Sequence, residues 1–372
     1  MTHDWHAWVD SQLDDIRAAG RWRATRSFDT LGPAGTLEGR PVVSFASNDY
    51  LGLSAHPTVV AAAHAALDRW GAGSTASRLI VGSRPIHAEL EAELADWKGT
   101  ERAVLFPTGF AANLGVLTTL GGPDATIFSD ELNHASIIDG ARLSRATIRV
   151  YRHNDVDHLA ELLADDAPSG RRPIVVTDSV FSMDGDVALV AELAAACAAH
   201  GALLVLDEAH AVFGPEAPVG GAVTIRVGTL SKALGAQGGF AACPAPFADL
   251  LVNRARSYIF TTALTPADAA AALAAVRLMR GPEGTALVEH LRHLVDRIEP
   301  GHPSPIVPLV LGDEERALKA AAALLERGIF VPAIRPPTVA PGSSRLRIAL
   351  SAAHTDAMLD ELLAALGDLG LR

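Results

Sequence analysis

Between residues 57 and 228, short apolar runs at 102–106, 125–128, 146–150, 173–177, 202–206 and 223–228 alternate with stretches of helical apolar spacing, such as 57–70 and 189–200. Runs of that length predict strands, and strands separated by helices predict a mainly parallel sheet covered on both faces. In open sheets of this kind, ligands collect outside the carboxyl ends of the strands. A long helical pattern at 266–280, strands near 306–311 and 345–350, and a closing helix at 356–369 predict a second, smaller α+β body. Residues 4–20 have amphipathic helical spacing and lead into Arg21, Arg23 and Arg26, which reads as an arm lying on the body. The expected division is an N-terminal arm at 1–45, a large domain at 46–275 and a small C-terminal domain at 276–372.

With 372 residues, 49% of them hydrophobic, the chain can bury a large core. Its 31 basic and 43 acidic residues give a net charge of −12, which opposes general attraction to nucleic acid or anionic lipid. Two cysteines, Cys197 and Cys243, build neither a disulfide framework nor a thiolate metal site, so no metal is expected and a reducing cytoplasm fits. The N-terminal M-T-H-D-W-H-A-W has no signal-peptide pattern, and no apolar stretch has the length of a membrane span.

Lys232 lies among small residues in V-G-T-L-S-K-A-L-G at 227–235. A flat cofactor can approach such a lysine closely, and partial desolvation lowers its pKa toward the amine that attacks aldehydes. Twenty-five positions earlier, the apolar run A-L-L-V-L ends in D-E-A-H, bringing Asp207 to a strand end with His210 just beyond. D-E-A-H is also a helicase box, but no G-x-x-x-x-G-K-[ST] phosphate loop precedes it. Asp207 makes better sense as an anion beneath a protonated ring nitrogen, where a buried carboxylate gains a cationic partner; taken alone, it could equally cap a helix.

F-P-T-G-F-A-A-N at 106–113 turns a strand end into a helix through Gly109, so the N–H groups of Gly109 and Phe110 are candidate phosphate donors, with the Thr229 hydroxyl beside them. His134, in S-D-E-L-N-H-A-S at 129–136, can stack on an aromatic ring and move a proton. Ser182, in D-S-V-F-S-M-D-G-D at 178–186, can donate to a phenolic oxygen beside His210. His153 and His158 have no evident role.

Together these motifs resemble the α-oxoamine synthases among the fold-type-I pyridoxal-phosphate enzymes. The likeness runs through S-N-D-Y-L-G-L at 47–53, G-A-G-S-T-A-S-R-L-I-V-G at 71–82, H-A-E-L-E at 87–91, the segments above, T-L-S-K at 229–232 and S-R-L-R-I at 344–348. It implies a large domain with a mainly parallel seven-stranded sheet sandwiched by helices, a smaller C-terminal α+β domain, and pyridoxal 5'-phosphate as cofactor. By matched position, Lys232 would carry the internal aldimine and then shuttle the substrate Cα proton. Asp207 would pair with the pyridine nitrogen, while Ser182 and His210 would reach the phenolic oxygen. His134 would stack on the ring and help orient the acyl donor. Gly109, Phe110 and Thr229 would hold the phosphate, with Thr262 entering from a partner subunit of a homodimer. Arg347 would grip the amino-acid carboxylate as a planar fork, with Asn48 and Arg21 near the substrate. Two departures stand out: Ala211, Val212 and Phe213 follow His210 where the family has a glycine-rich turn, and Thr108 precedes Gly109 where serine is common.

The implied reaction is decarboxylative condensation of an amino acid, alanine by closest likeness, with an acyl thioester, pimeloyl-CoA by the same likeness. Glycine C-acetyltransferase or another synthase of the group, and a noncatalytic subunit of a heteromeric synthase, are the alternatives. Retention of Lys232, Asp207 and His210 opposes the last.

Overall fold

The computed structural model describes residues 3–213 and 218–372. Three short strands come first, β1 (Phe28–Thr30), β2 (Ala34–Leu37) and β3 (Arg40–Ser44), paired antiparallel in sequence. Seven more form the central sheet: β4 (Arg102–Phe106), β5 (Ala125–Asp130), β6 (Thr147–Tyr151), β7 (Arg172–Asp178), β8 (Leu203–Asp207), β9 (Thr224–Thr229) and β10 (Gly239–Cys243). Their spatial order is β4-β10-β9-β8-β7-β5-β6. β5 to β9 pair in parallel, and β10 runs antiparallel to both β9 and β4. The expected α/β fold with a mainly parallel seven-stranded sheet is therefore present. Within this sheet β10 is the strand that sequence patterning missed, because G-F-A-A-C has no β-branched residue to mark it; the short strands β1 to β3 were missed as well.

Both faces of the sheet are covered, and strand alternation decides which residue serves which face. Val205 joins Val176, Val227 and Phe106 in a core beneath the helices Gly109–Leu120 and Ala135–Leu143, while its neighbours Leu204 and Leu206 join Phe128 and Val175 under Val156–Asp166 and Val190–His200. Helix Pro266–Met279 packs on Pro57–Trp70 and Pro85–Trp97. The division expected near residue 275 therefore falls inside a helix of the large body.

The smaller C-terminal body contains β11 (Ile306–Gly312), β12 (Ile329–Phe330), β13 (Ala333–Ile334) and β14 (Ser344–Ala349), with helices Pro282–Ile298, Glu314–Glu326 and Asp356–Asp368. β14 lies between β11 and β13, antiparallel to both. β12 instead pairs in parallel with β3, so residues 28–44 form a sheet with this body rather than an extended arm.

A second correction concerns the N-terminus. Helix Trp5–Ala18 forms as expected, capped by Asp4, but buries none of its residues. Trp5 and Trp8 stay exposed, and one link to the body is Arg335 Nη2 donating to the Gly20 carbonyl at 2.6 Å. Among the described residues, no helix is long and apolar enough to cross a membrane.

Candidate active site

The register of two parallel strands sets the floor of the site. β7 and β8 align Asp178 beside Asp207, so two buried carboxylates end adjacent strands at their carboxyl edge. Asp207 Oδ1 accepts the Ala209 N–H at 2.9 Å, and Oδ2 accepts from Asn113 Nδ2 at 2.6 Å. Asn113 also donates to Ser136 Oγ at 2.9 Å, which lies 2.7 Å from His134 Nδ1. Asp178 Oδ2 accepts the His134 backbone N–H at 2.7 Å. Burial, and then the neighbouring Asp207 charge, push the Asp178 carboxyl well above its ordinary range.

Above this floor stands a hydrogen-bonded chain. Lys232 Nζ is 2.8 Å from His210 Nε2, and His210 Nδ1 is 2.6 Å from the Tyr50 hydroxyl. Tyr50 donates to Asn48 Oδ1 at 3.0 Å, and Arg347 Nη2 donates to the same oxygen at 3.2 Å. Arg347 Nε donates to the Ser182 carbonyl at 2.5 Å. The hydroxyl has one proton, given to Asn48, so it accepts from His210 Nδ1–H; Nε2 is then the acceptor for Lys232. This tautomer assignment makes His210 neutral. Burial, then the Lys232, Arg347 and His134 charges, hold its pKa well below the usual histidine value. Burial also lowers the Lys232 pKa, against the raising pull of Asp207 and Asp178. Burial raises the Tyr50 phenol to about 12, so it stays protonated. The turn carrying Lys232 is seated by Gly235, at φ +62°, where a Cβ would lie 2.2 Å from Ser54 N.

The protein has three lysines, Lys98, Lys232 and Lys319. Lys98 is buried in an ion pair with Glu208 and Lys319 is an exposed partner of Glu315, which leaves Lys232 as the lysine beside the paired aspartates.

The opening of helix Gly109–Leu120 forms a cradle. Thr108 caps it by accepting the Ala111 N–H at 3.0 Å, while the Gly109 and Phe110 N–H groups belong to a first turn without intrahelical acceptors. A Cβ on Gly239 would sit 2.5 Å from Gly109 N, and one on Gly109 would sit 3.1 Å from Thr229 Cβ. Side chains are thus kept out of a pocket edged by Thr229 Oγ1, itself 2.8 Å from Ser231 Oγ. The Phe110 ring meets His134 edge-on at 6.4 Å. A phosphate suits the cradle, and a protonated ring nitrogen suits Asp207, so the donor set fits pyridoxal 5'-phosphate.

Lys232, His210, Asp207, His134, Asn48, Arg347, Gly109, Phe110, Thr229 and Ser182 therefore converge, although the contact Ser182 makes is through its carbonyl. Thr262 and Arg21 do not join them: both are exposed in this chain, and the Arg21 guanidinium has no ion pair among the described residues. Part of the loop after His210, residues 214–217, lies outside the described residues. Sequence reading missed Tyr50, Asn113, Ser136 and Asp178 as site members. Each sits inside a motif already singled out, and Asp178 ends an apolar run as Asp207 does.

The aminotransferase class I and II family matches residues 40–366. The 8-amino-7-oxononanoate synthase of Anaeromyxobacter dehalogenans is 50% identical, covering 96% of this chain and 94% of that one. The chain belongs to the 8-amino-7-oxononanoate synthase family. Among solved structures, serine palmitoyltransferase of Sphingomonas wittichii superposes with a TM-score of 0.90 at 33% identity, covering 99% of this chain and 98% of that one. The 8-amino-7-oxononanoate synthase of Francisella tularensis does so with a TM-score of 0.72 at 27% identity, covering 88% and 98%. The chain thus shares its architecture with a transferase named for a palmitoyl group as well as with an 8-amino-7-oxononanoate synthase.

Proposed function

We propose that this chain is the synthase that condenses L-alanine with a pimeloyl thioester, pimeloyl-CoA in the simplest case, to give 8-amino-7-oxononanoate, the free thiol and carbon dioxide in biotin biosynthesis. The observation that carries the chemistry is Lys232 Nζ, 2.8 Å from a neutral His210 and above two buried aspartates. The near-full-length identity to 8-amino-7-oxononanoate synthases carries the substrates.

Pyridoxal 5'-phosphate is the cofactor, and when bound it supplies an electron sink for the substrate carbanion. The chain's residues do the rest. Gly109, Phe110 and Thr229 would hold the phosphate, and Asp207, braced by Asn113, would keep the ring nitrogen protonated. Ser182 and His210 would lie beside the phenolic oxygen, and His134 would cover the ring and orient the acyl donor. Arg347, beside Asn48, takes the alanine carboxylate, with Arg21 a further substrate contact. Lys232 removes the alanine Cα proton at Nζ and returns one at the end, and the neutral His210 beside it keeps Nζ from being locked in an ion pair.

We further assign a homodimer in which Thr262 serves the partner's phosphate site. Its support is an exposed apolar surface: Leu79, Ile80 and Val81 stand out from the segment Arg78–Gly82, and Phe260 stands beside Thr262. The two stretches meet where the Ala263 N–H donates to the Ala76 carbonyl at 3.0 Å. Two buried free thiols, Cys197 and Cys243, suit the cytoplasm.

The test is thiol release by the cofactor-loaded protein, with alanine or glycine offered against pimeloyl-, acetyl- and succinyl-CoA. Release confined to alanine with pimeloyl-CoA supports the reading. Preference for glycine with a short donor moves the chain to glycine C-acetyltransferase or a related synthase, and release with no pair revives the noncatalytic subunit.

A further inference from the structure

His153, to which the sequence assigns no role, lies between two carboxylates. Its Nδ1 is 3.0 Å from Asp130 Oδ1 at the end of β5, and its Nε2 is 2.7 Å from Asp186 Oδ2 in the turn 181–187. Carboxylate oxygens only accept, so both ring nitrogens carry hydrogen and the ring is an imidazolium. Its ring stands edge-on to Phe181 at 4.3 Å, and its backbone N–H donates to Glu131 Oε1 at 3.0 Å. Nearby, Arg152 pairs with Asp155 and not with the ring's partners. Asn154 completes the junction, its N–H reaching Asp130 Oδ2 at 3.0 Å and its Nδ2 reaching Asp186 Oδ2 at 3.0 Å.

The turn that His153 holds is the one on which Arg347 rests. Arg347 donates to the Ser182 carbonyl, and Arg345 from the same strand pairs with Asp184 and donates to the Met183 carbonyl at 3.3 Å. Gly185, at φ +70°, has no room for a side chain, since a Cβ would meet the Ile306 carbonyl at 1.9 Å. From the C-terminal body, then, the turn is fixed by β11 and β14; from the large body, the charged contact is His153. The other carboxylate, Asp130, closes the loop that presents His134: its backbone carbonyl accepts the Asn133 N–H at 3.3 Å and its Oδ1 the Leu132 N–H at 2.9 Å.

We propose that His153 is a positioning residue that pins the 181–187 turn to the His134 loop and thereby sets the Arg347 fork for the substrate carboxylate. This rests on the reading of Arg347 as the carboxylate grip. Burial opposes the charge on His153, but the Asp130 and Asp186 hydrogen bonds outweigh it and raise the pKa to about 10, so the pin is in place throughout the neutral range.

The test compares wild type, His153→Gln and His153→Gln/Asp186→Asn by thiol release, varying amino acid and thioester separately, with thermal unfolding alongside. Glutamine can donate to Asp130 but turns its carbonyl toward Asp186; asparagine at 186 restores a donor facing that carbonyl, once the Asn154 amide, which donates to the same position in the wild type, turns its own carbonyl to it. The expected result is an amino-acid KM raised about tenfold in His153→Gln, with thioester KM and kcat within about twofold, and recovery to within about threefold in the double variant. An unchanged amino-acid KM in His153→Gln would overturn the proposal. So would a loss of kcat and of both KM values that follows the unfolding temperature and is not recovered in the double variant. Wild type that releases thiol with another amino acid refutes the alanine reading alone; the comparison is then run with that amino acid, whose carboxylate makes the same demand on Arg347.

Discussion

Asp207 and Glu208 are neighbours in the chain, equally buried at the end of one strand, and their surroundings are opposite. Glu208 turns away from the site to a closed cluster, with Lys98 Nζ 2.9 Å from Oε2 and Arg226 on Oε1. Burial works against its charge, but Lys98 and Arg226 outweigh it and hold the carboxyl below its usual range. Asp207 faces the site beside a second carboxylate, Asp178, and acts on Lys232, whose own pKa burial lowers. One residue closes a charge account inside the fold; the other leaves a negative excess that a cationic ring nitrogen can meet. Alternation at a strand end is enough to send two neighbouring carboxylates into opposite surroundings.

The largest effect expected is on turnover. Lys232→Ala should lower kcat by about 10³-fold or more with an unchanged far-ultraviolet circular dichroism spectrum; turnover within tenfold of wild type would break the assignment. Asp207→Asn should cost about 10²- to 10³-fold in kcat with little change in the apoprotein unfolding temperature, because relief of a like charge beside Asp178 offsets the loss of one of the two hydrogen bonds that the Asp207 carboxylate accepts. Glu208→Gln should do the reverse, destabilising by about 3 kcal/mol through loss of the carboxylate that two buried cations share, with kcat of the folded fraction within a few-fold. If both substitutions act alike in the two assays, the contrast fails.

The pH dependence sharpens the same comparison. Asp178 has a raised folded pKa, so its contribution to apoprotein stability is full below its unfolded value and is lost as pH rises through the folded pKa; Asp207→Asn should reduce that loss. Glu208 has a lowered folded pKa, so its contribution is present above its unfolded value and is lost as pH falls through the folded pKa. Urea unfolding across pH 3 to 9, for the wild type and both variants, reads the two signs. The smallest effect should be that of Tyr50→Phe, which removes the acceptor for His210 Nδ1–H at a cost of about 1 kcal/mol and lowers kcat a few-fold without changing the KM for the thioester.

The parallel strands and the residues at their ends were legible because apolar runs stop abruptly at a charged residue, as at Asp207, or pass through glycine into a helix, as at Gly109. β10 was not, since alanine marks no strand. Tyr50 and Asn113 read as ordinary polar positions in their motifs, and only the tertiary fold brings Tyr50 to His210 across 160 residues of chain and Asn113 to Asp207 across 94. The packing of helix Trp5–Ala18 was misread because amphipathic spacing predicts an apolar face without naming what covers it. His153 was passed over for a similar reason: its meaning lies in Asp130 and Asp186, 23 and 33 positions away.

With three lysines in the chain, the central claim can be tested by one trapping experiment. The protein is loaded with pyridoxal 5'-phosphate, reduced with borohydride, digested and mapped by mass spectrometry. The account predicts a single phosphopyridoxyl group on the peptide containing Lys232, lost in the presence of excess alanine, whose amine displaces the lysine before reduction. Label on Lys98 or Lys319, or label on Lys232 that alanine does not displace, would contradict it.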